Sequence, residues 1–137
     1  LSFDITSEQY KIMALLPNAY AQGYCAGVNM AGGEMKYSDA FPLNAIGFFG
    51  YHILSAGSMS GESFTQSDGV NYKRLFYEQD RLKGFLLAGD IARAGIYTSL
   101  IRERTPLSEI DFELLKNNPT LAAFGLNRIK KCLGEEV

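Results

Sequence analysis

Residues 71–105, NYKRLFYEQDRLKGFLLAGDIARAGIYTSLIRERT, decide the fold of this chain. Two apolar-alternating runs, Tyr72 to Tyr77 and Arg81 to Ala88, meet at the polar tetrad Glu78, Gln79, Asp80, Arg81 and read as a hairpin. The second run ends at Gly89, and Asp90 is placed to cap a helix, its carboxylate accepting from backbone N–H groups one turn on. On that helix Ile91, Ala94, Gly95 and Thr98 share one side and Tyr97, Leu100 and Ile101 the next. Arg93, Ser99, Arg102 and Glu103 are left for water. The order is strand, turn, strand, helix.

Outward from this unit, Asn44 to Phe49 and Tyr51 to Ala56 read as strands separated by Gly50, and Glu62 to Gln66 as a short strand before a turn at Asp68-Gly69. The expected fold is α+β: an antiparallel sheet of about four or five strands over residues 44–88, its apolar face packed on the helix after Asp90. Phe48 and Phe49 point to opposite faces of an extended segment, and both are expected in the core. Ser55 to Gly61 reads as a mobile loop.

Downstream, Thr105-Pro106 and Ser108 with Asp111 offer helix starts, Ile110, Leu114 and Leu115 make an apolar side, and Asn117-Asn118-Pro119 stops it. Thr120 can cap a further helix carrying Leu121 and Phe124 and, past Gly125, Leu126, Ile129 and Leu133. These later helices are expected to close the other side of the sheet or to supply a dimer surface.

Upstream, Tyr10, Ile12, Ala14 and Leu16 alternate as a short strand or extended lead-in. Pro17 suits the first turn of a helix over 17–31, which Gly32 and Gly33 end. Ala19, Gly23, Ala26, Gly27 and Met30 fall on one face, leaving it nearly free of side chains although each glycine costs about 1 kcal/mol in a helix interior. Close approach of another element is the simplest reason for such a stripe.

The 137 residues suffice for one ordinary core. At 47% apolar and 20% charged they read as globular, and a net charge of -2 argues against nucleic acid. The one basic cluster, Arg128, Lys130 and Lys131, suits the end of a last helix. No run is long and apolar enough to span a membrane, and no signal peptide is visible, so a cytoplasmic location is expected. Cys25 and Cys132 lack CxxC spacing and partnering histidines, which favours packing thiols over a metal site. His52, the sole histidine, has no second ligand in motif spacing and reads as a strand residue.

The pattern Tyr72-Lys73-Arg74-Leu75, Leu82-Lys83-Gly84-Phe85-Leu86-Leu87-Ala88-Gly89-Asp90, Ala94-Gly95-Ile96 and Leu100-Ile101-Arg102 resembles the C-terminal domain of FAD-dependent pyridine nucleotide-disulfide oxidoreductases. The similar branch holds rubredoxin reductase and the large subunit of NADH-dependent nitrite reductase. Pro17-Asn18-Ala19, Gln22-Gly23, Ala26-Gly27, Asn29-Met30-Ala31-Gly32-Gly33, Asn44 and Phe48-Phe49-Gly50 extend it over residues 11 to 133.

The resemblance implies two parts: residues 1–40 as the tail of an FAD-binding domain, and residues 41–137 as a C-terminal interface or dimerisation domain. It also implies that the helix from Pro17 aims its N-terminus at the flavin, where free N–H groups and partial positive charge suit a reduced, anionic ring. Pro17, Asn18 and Ala19 are the implied FAD contacts, in the intact protein only. Many relatives have an aromatic residue before the proline; here it is Leu16.

Both dinucleotide fingerprints are missing, and Gly57 to Gly61 has no phosphate-loop signature, so this chain alone is expected to hold no FAD and to be inactive. The implied partners are the FAD and NAD domains of its own chain, with a second copy in a homodimer and an electron-acceptor protein as further candidates. The alternative is a free-standing oligomerisation or protein-binding module of the same fold without catalysis. A small-ligand site on an aromatic sheet face is a third reading. The acceptor, and NADH against NADPH, are not legible.

Overall fold

A computed structural model describes residues 1–125. The chain opens with a short hairpin, Ser2–Asp4 (β1) and Gln9–Lys11 (β2), and a helix, Leu16–Met30 (α1). Five strands follow: Leu43–Phe48 (β3), Tyr51–Gly57 (β4), Glu62–Ser67 (β5), Tyr72–Glu78 (β6) and Arg81–Ala88 (β7). Helices Ala94–Glu103 (α2) and Phe112–Asn117 (α3) come next, with short 3-10 turns at Leu107–Glu109 and Leu121–Phe124. The sheet is antiparallel throughout in the order β3-β4-β7-β6-β5, which is the expected α+β arrangement.

The organising hairpin closes through Gln79 at φ 50° and Asp80 at φ 61°, two successive left-handed residues whose twist matches the flanking strands. Asp80 then works outward. Its carboxylate accepts from the Ser108 backbone N–H at 2.9 Å and the Ser108 hydroxyl at 2.6 Å, tying the turn to the segment after α2.

Strand alternation puts Leu75, Phe85 and Leu87 on the face that meets Tyr97, Leu100 and Ile101 of α2. This is the core. β4 joins it by pairing with β7 where two glycines face each other. A Cβ on Gly57 would stand 2.0 Å from the Lys83 carbonyl oxygen, and one on Gly84 would stand 2.2 Å from that of Ser58, so only hydrogen fits at the crossing.

Four expectations are corrected. Asp90 does not cap α2: its carboxylate accepts from the Ala92 N–H at 2.9 Å in a local turn, and the helix begins at Ala94, after Arg93 at φ 60°. Phe48 and Phe49 are not in the core. Phe49 at φ 47° and Gly50 at φ 82° form the β3–β4 turn, which lifts both rings into solvent at 69% and 96% exposure.

Third, α3 does not close the other side of the sheet but packs beside α2 on the same face. Its Leu115 is fully buried in the core, and the Lys116 ammonium lies over the rings of Phe64, Tyr77 and Phe112. The opposite face is left uncovered by any described helix. Fourth, where the strand reading to Ala56 and the loop reading from Ser55 overlapped, the strand holds: Ser55 and Ala56 belong to β4, which runs on through Gly57. Leu126, Ile129, Leu133, the cluster Arg128, Lys130, Lys131, and Cys132 lie outside the described residues.

Candidate functional site

Helix α1 starts from an extended Leu15, carries Pro17 in its first turn, and has no side chain capping its N-terminus. Its C-terminus is closed: the Gly33 N–H donates to the Val28 carbonyl and the Gly32 N–H to that of Asn29, with Gly32 at φ 89°. The asymmetry leaves the positive end of the dipole open.

One side of α1 is fastened. Asn18 is 4% exposed; its amide nitrogen donates to the Phe41 carbonyl and the Tyr37 hydroxyl, both at 3.2 Å, and lies 3.5 Å from Met13 Sδ. Its Oδ1 has no protein partner among the described residues. Farther along, the buried Cys25 thiol donates to the Met35 carbonyl, and the Asn29 amide brackets Met35 with a donated and an accepted bond of 3.0 and 2.7 Å.

The other side is bare. Ala19, Gly23, Ala26, Gly27 and Met30 are all exposed, and a Cβ on Gly23 or Gly27 would meet nothing within 4 Å. Ala19 lies with this open side, Pro17 borders a small cavity with Asn18, Tyr37 and Arg102, and Asn18 turns inward and holds the helix to the loop before β3. The three implied contacts thus share the first turn but divide between outside and inside.

A second exposed surface lies on the uncovered sheet face. Register puts Ile46 opposite Ile53 and Phe48 opposite Tyr51, so four apolar side chains from β3 and β4 stand together, each at least 40% exposed. The Phe48 and Phe49 rings contact edge to face at 4.6 Å between centroids. Sequence reading missed this patch because an aromatic pair in a strand looks the same whether or not a helix covers it.

Ionisable groups show no catalytic pairing among the described residues. Burial lowers the Lys73 ammonium, with Asp90 partly restoring it, and burial pushes the Tyr97 phenol up to about 12. The backbone N–H of Asn71, its side-chain amide and the Val70 N–H together hold Asp68 at about 2. No group of three metal-ligating side chains occurs among the described residues, and none of their helices is long and apolar enough to cross a membrane.

Comparison with known proteins gives a consistent picture. Residues 42–105 match the profile of the rubredoxin NAD+ reductase C-terminal domain. The chain is 36% identical to the epsilon subunit of NADH-dependent phenylglyoxylate dehydrogenase from Aromatoleum evansii, an alignment covering 78% of this chain and 28% of that protein. The chain therefore spans little more than a quarter of that relative's length.

A solved FAD-dependent pyridine nucleotide-disulphide oxidoreductase from Desulfovibrio vulgaris superposes over 96% of this chain and 36% of its own, with a TM-score of 0.68 at 12% identity, which establishes likeness of fold. The profile match falls on the strand, turn, strand, helix unit and the β3–β4 hairpin before it. Over these residues the chain matches the rubredoxin NAD+ reductase C-terminal domain, and it shares its fold with an FAD-dependent pyridine nucleotide-disulphide oxidoreductase.

Proposed function

We propose that this chain is the C-terminal part of an FAD-dependent NAD(P)H oxidoreductase, where it covers one side of the flavin and supplies a subunit or partner surface. The observation that carries the reading is the division of α1: one side is pinned by Asn18, Cys25 and Asn29, while the other presents an uncapped N-terminus and a stripe of alanine and glycine. Glycines that touch nothing here weaken the helix without return, unless something lies against them in the longer protein.

The residues present fit an anionic ring at that end. Pro17 and Ala19 add little bulk to a first turn that also carries the exposed Leu16, and the open N-terminus stabilises negative charge without proton transfer. Asn18 positions this turn through the Phe41 carbonyl and does not itself face outward. The flavin, when bound, would pass electrons between a nicotinamide and an acceptor. This chain's own part is to orient, to exclude water and to supply the helix field. The apolar patch of Ile46, Phe48, Tyr51 and Ile53 is the surface best suited to a second subunit, a further domain or an acceptor protein.

Hydrogen exchange on the intact flavoprotein, with FAD bound and removed, tests the proposal. Residues 16–23 should lose protection when FAD is removed, while β6 and β7 do not. Equal protection of residues 16–23 in both states would rule out the flavin-facing role.

A further inference from the structure

We propose that the pocket between the β6–β7 turn, the end of α2 and the β1–β2 connection binds a small phosphate-bearing anion. Its volume is about 240 Å3, and its floor is made by Ile5, Leu82 and Ile101, all more than nine-tenths buried. The rim carries Arg81, Lys83 and Arg104 against a single carboxylate, Glu8. The whole chain has a net charge of -2, so this excess of two positive charges is local.

Backbone geometry sets each cation. Arg81 opens β7 directly after the left-handed turn and bridges to Pro106. Lys83 is an extra residue in its strand: Phe76 pairs with Gly84 and Tyr77 with Leu82, so Lys83 has no register partner. Such a bulge re-aims a side chain. Arg104 ends α2 at φ 52°, a conformation that bends the chain back over the pocket.

These charges are poorly used within the protein. The Lys83 side chain is only 13% exposed, yet its ammonium reaches Glu8 at 3.7 Å and the Glu8 side chain is 71% exposed, so the pair is long and wet on its acidic side. Neither Arg81 nor Arg104 donates a side-chain hydrogen bond or forms an ion pair among the described residues. With Glu8 as the one lining carboxylate, two of the three positive charges are unmatched within the pocket, and an anion with two charges would neutralise that excess. A phosphate dianion matches it in number. Guanidinium groups present paired N–H donors that fit phosphate oxygens, and a lysine adds a point charge. A single carboxylate would leave one positive charge unmatched. Inorganic phosphate and the phosphoryl group of a small phosphomonoester share this chemistry.

Calorimetric titration of the 137-residue chain with inorganic phosphate and, separately, glycerol 3-phosphate tests the site, with sodium chloride matching the ionic strength. One saturable site per chain is expected. Tighter binding of inorganic phosphate assigns the site to the free ion, and tighter binding of the ester assigns it to a phosphoryl group. Arg81→Gln and Arg104→Asn, the latter keeping a residue tolerant of positive φ, should each weaken binding roughly tenfold, as loss of a charge-assisted hydrogen bond does. Glu8→Gln should strengthen it, a gain that misfolding cannot produce, while Glu34→Gln, outside the pocket, should leave it unchanged. Absence of saturation, or affinity indifferent to Arg81 and Arg104, overturns the proposal.

Discussion

The Tyr97 hydroxyl donates to the Leu115 carbonyl across 2.8 Å, joining α2 to α3 beneath the sheet. Both residues are 0% exposed, and the Tyr97 ring packs at 5.6 Å from that of Phe85. One side chain therefore fills the core and satisfies a helical carbonyl. Tyr97→Phe keeps the ring and strands the carbonyl, which should cost ~1–3 kcal/mol in denaturant unfolding.

The same residue sets an alkaline limit. Burial raises the Tyr97 phenol from 10.0 to about 12, so the folded state holds its proton more tightly than the unfolded state does. Its contribution is fully present below the unfolded value of 10.0 and declines as pH rises toward about 12. Unfolding free energy measured across that range should fall for the wild type and stay flatter for Tyr97→Phe.

The glycines separate two kinds of site. A Cβ on Gly84 would lie 2.2 Å from the Ser58 carbonyl oxygen and 2.8 Å from that of Ala56, both backbone atoms that cannot swing aside. Gly84→Ala should destabilise by more than ~3 kcal/mol or abolish folding. Gly23 has open space around it, so Gly23→Ala should stabilise this chain by up to ~1 kcal/mol in thermal or chemical melts. If the stripe is covered in a longer flavoprotein, as proposed, the same change there should weaken FAD retention.

Acid should loosen the N-terminal hairpin first. Burial works to raise the Asp4 carboxyl, but the Thr6 and Ser7 hydroxyls, the Thr6 N–H and the Lys11 ammonium outweigh it and hold the group below 3.8. A lowered folded value means stability present above 3.8 and lost as pH falls through the lowered value. Hydrogen exchange of β1 and β2 should accelerate in that range, and Asp4→Asn should remove the pH step while destabilising the hairpin at neutral pH.

What could be read from the sequence was local. Alternation fixed β6 and β7, Gln79-Asp80 gave the turn, and Gly32-Gly33 gave the end of α1. Asp111 accepts from the Leu114 N–H at 2.9 Å and Thr120 from that of Ala122 at 3.4 Å, the capping their positions suggested. Asp90 misled because its carboxylate is satisfied two residues on, and Arg93 then takes a left-handed turn that no residue type announces.

Non-local relations were not legible. The Gly57–Gly84 crossing depends on β4 pairing with β7 past two intervening strands, and the placement of Phe48 and Phe49 depends on which face the helices cover. At α1, small-residue spacing showed the stripe. The inward fastening of Asn18 needed the loop carrying Tyr37 and Phe41, whose position periodicity does not encode.

The flavin-facing role of α1 is tested most directly by the midpoint potential of the flavin in the intact protein carrying Ala19→Asp. A carboxylate in the first turn of a helix stabilises the helix, so folding is preserved. Negative charge beside the ring should lower the two-electron potential by roughly 30 mV, the equivalent of ~1.4 kcal/mol against the reduced form. A potential equal to that of the wild type would contradict placing this helix end at the flavin.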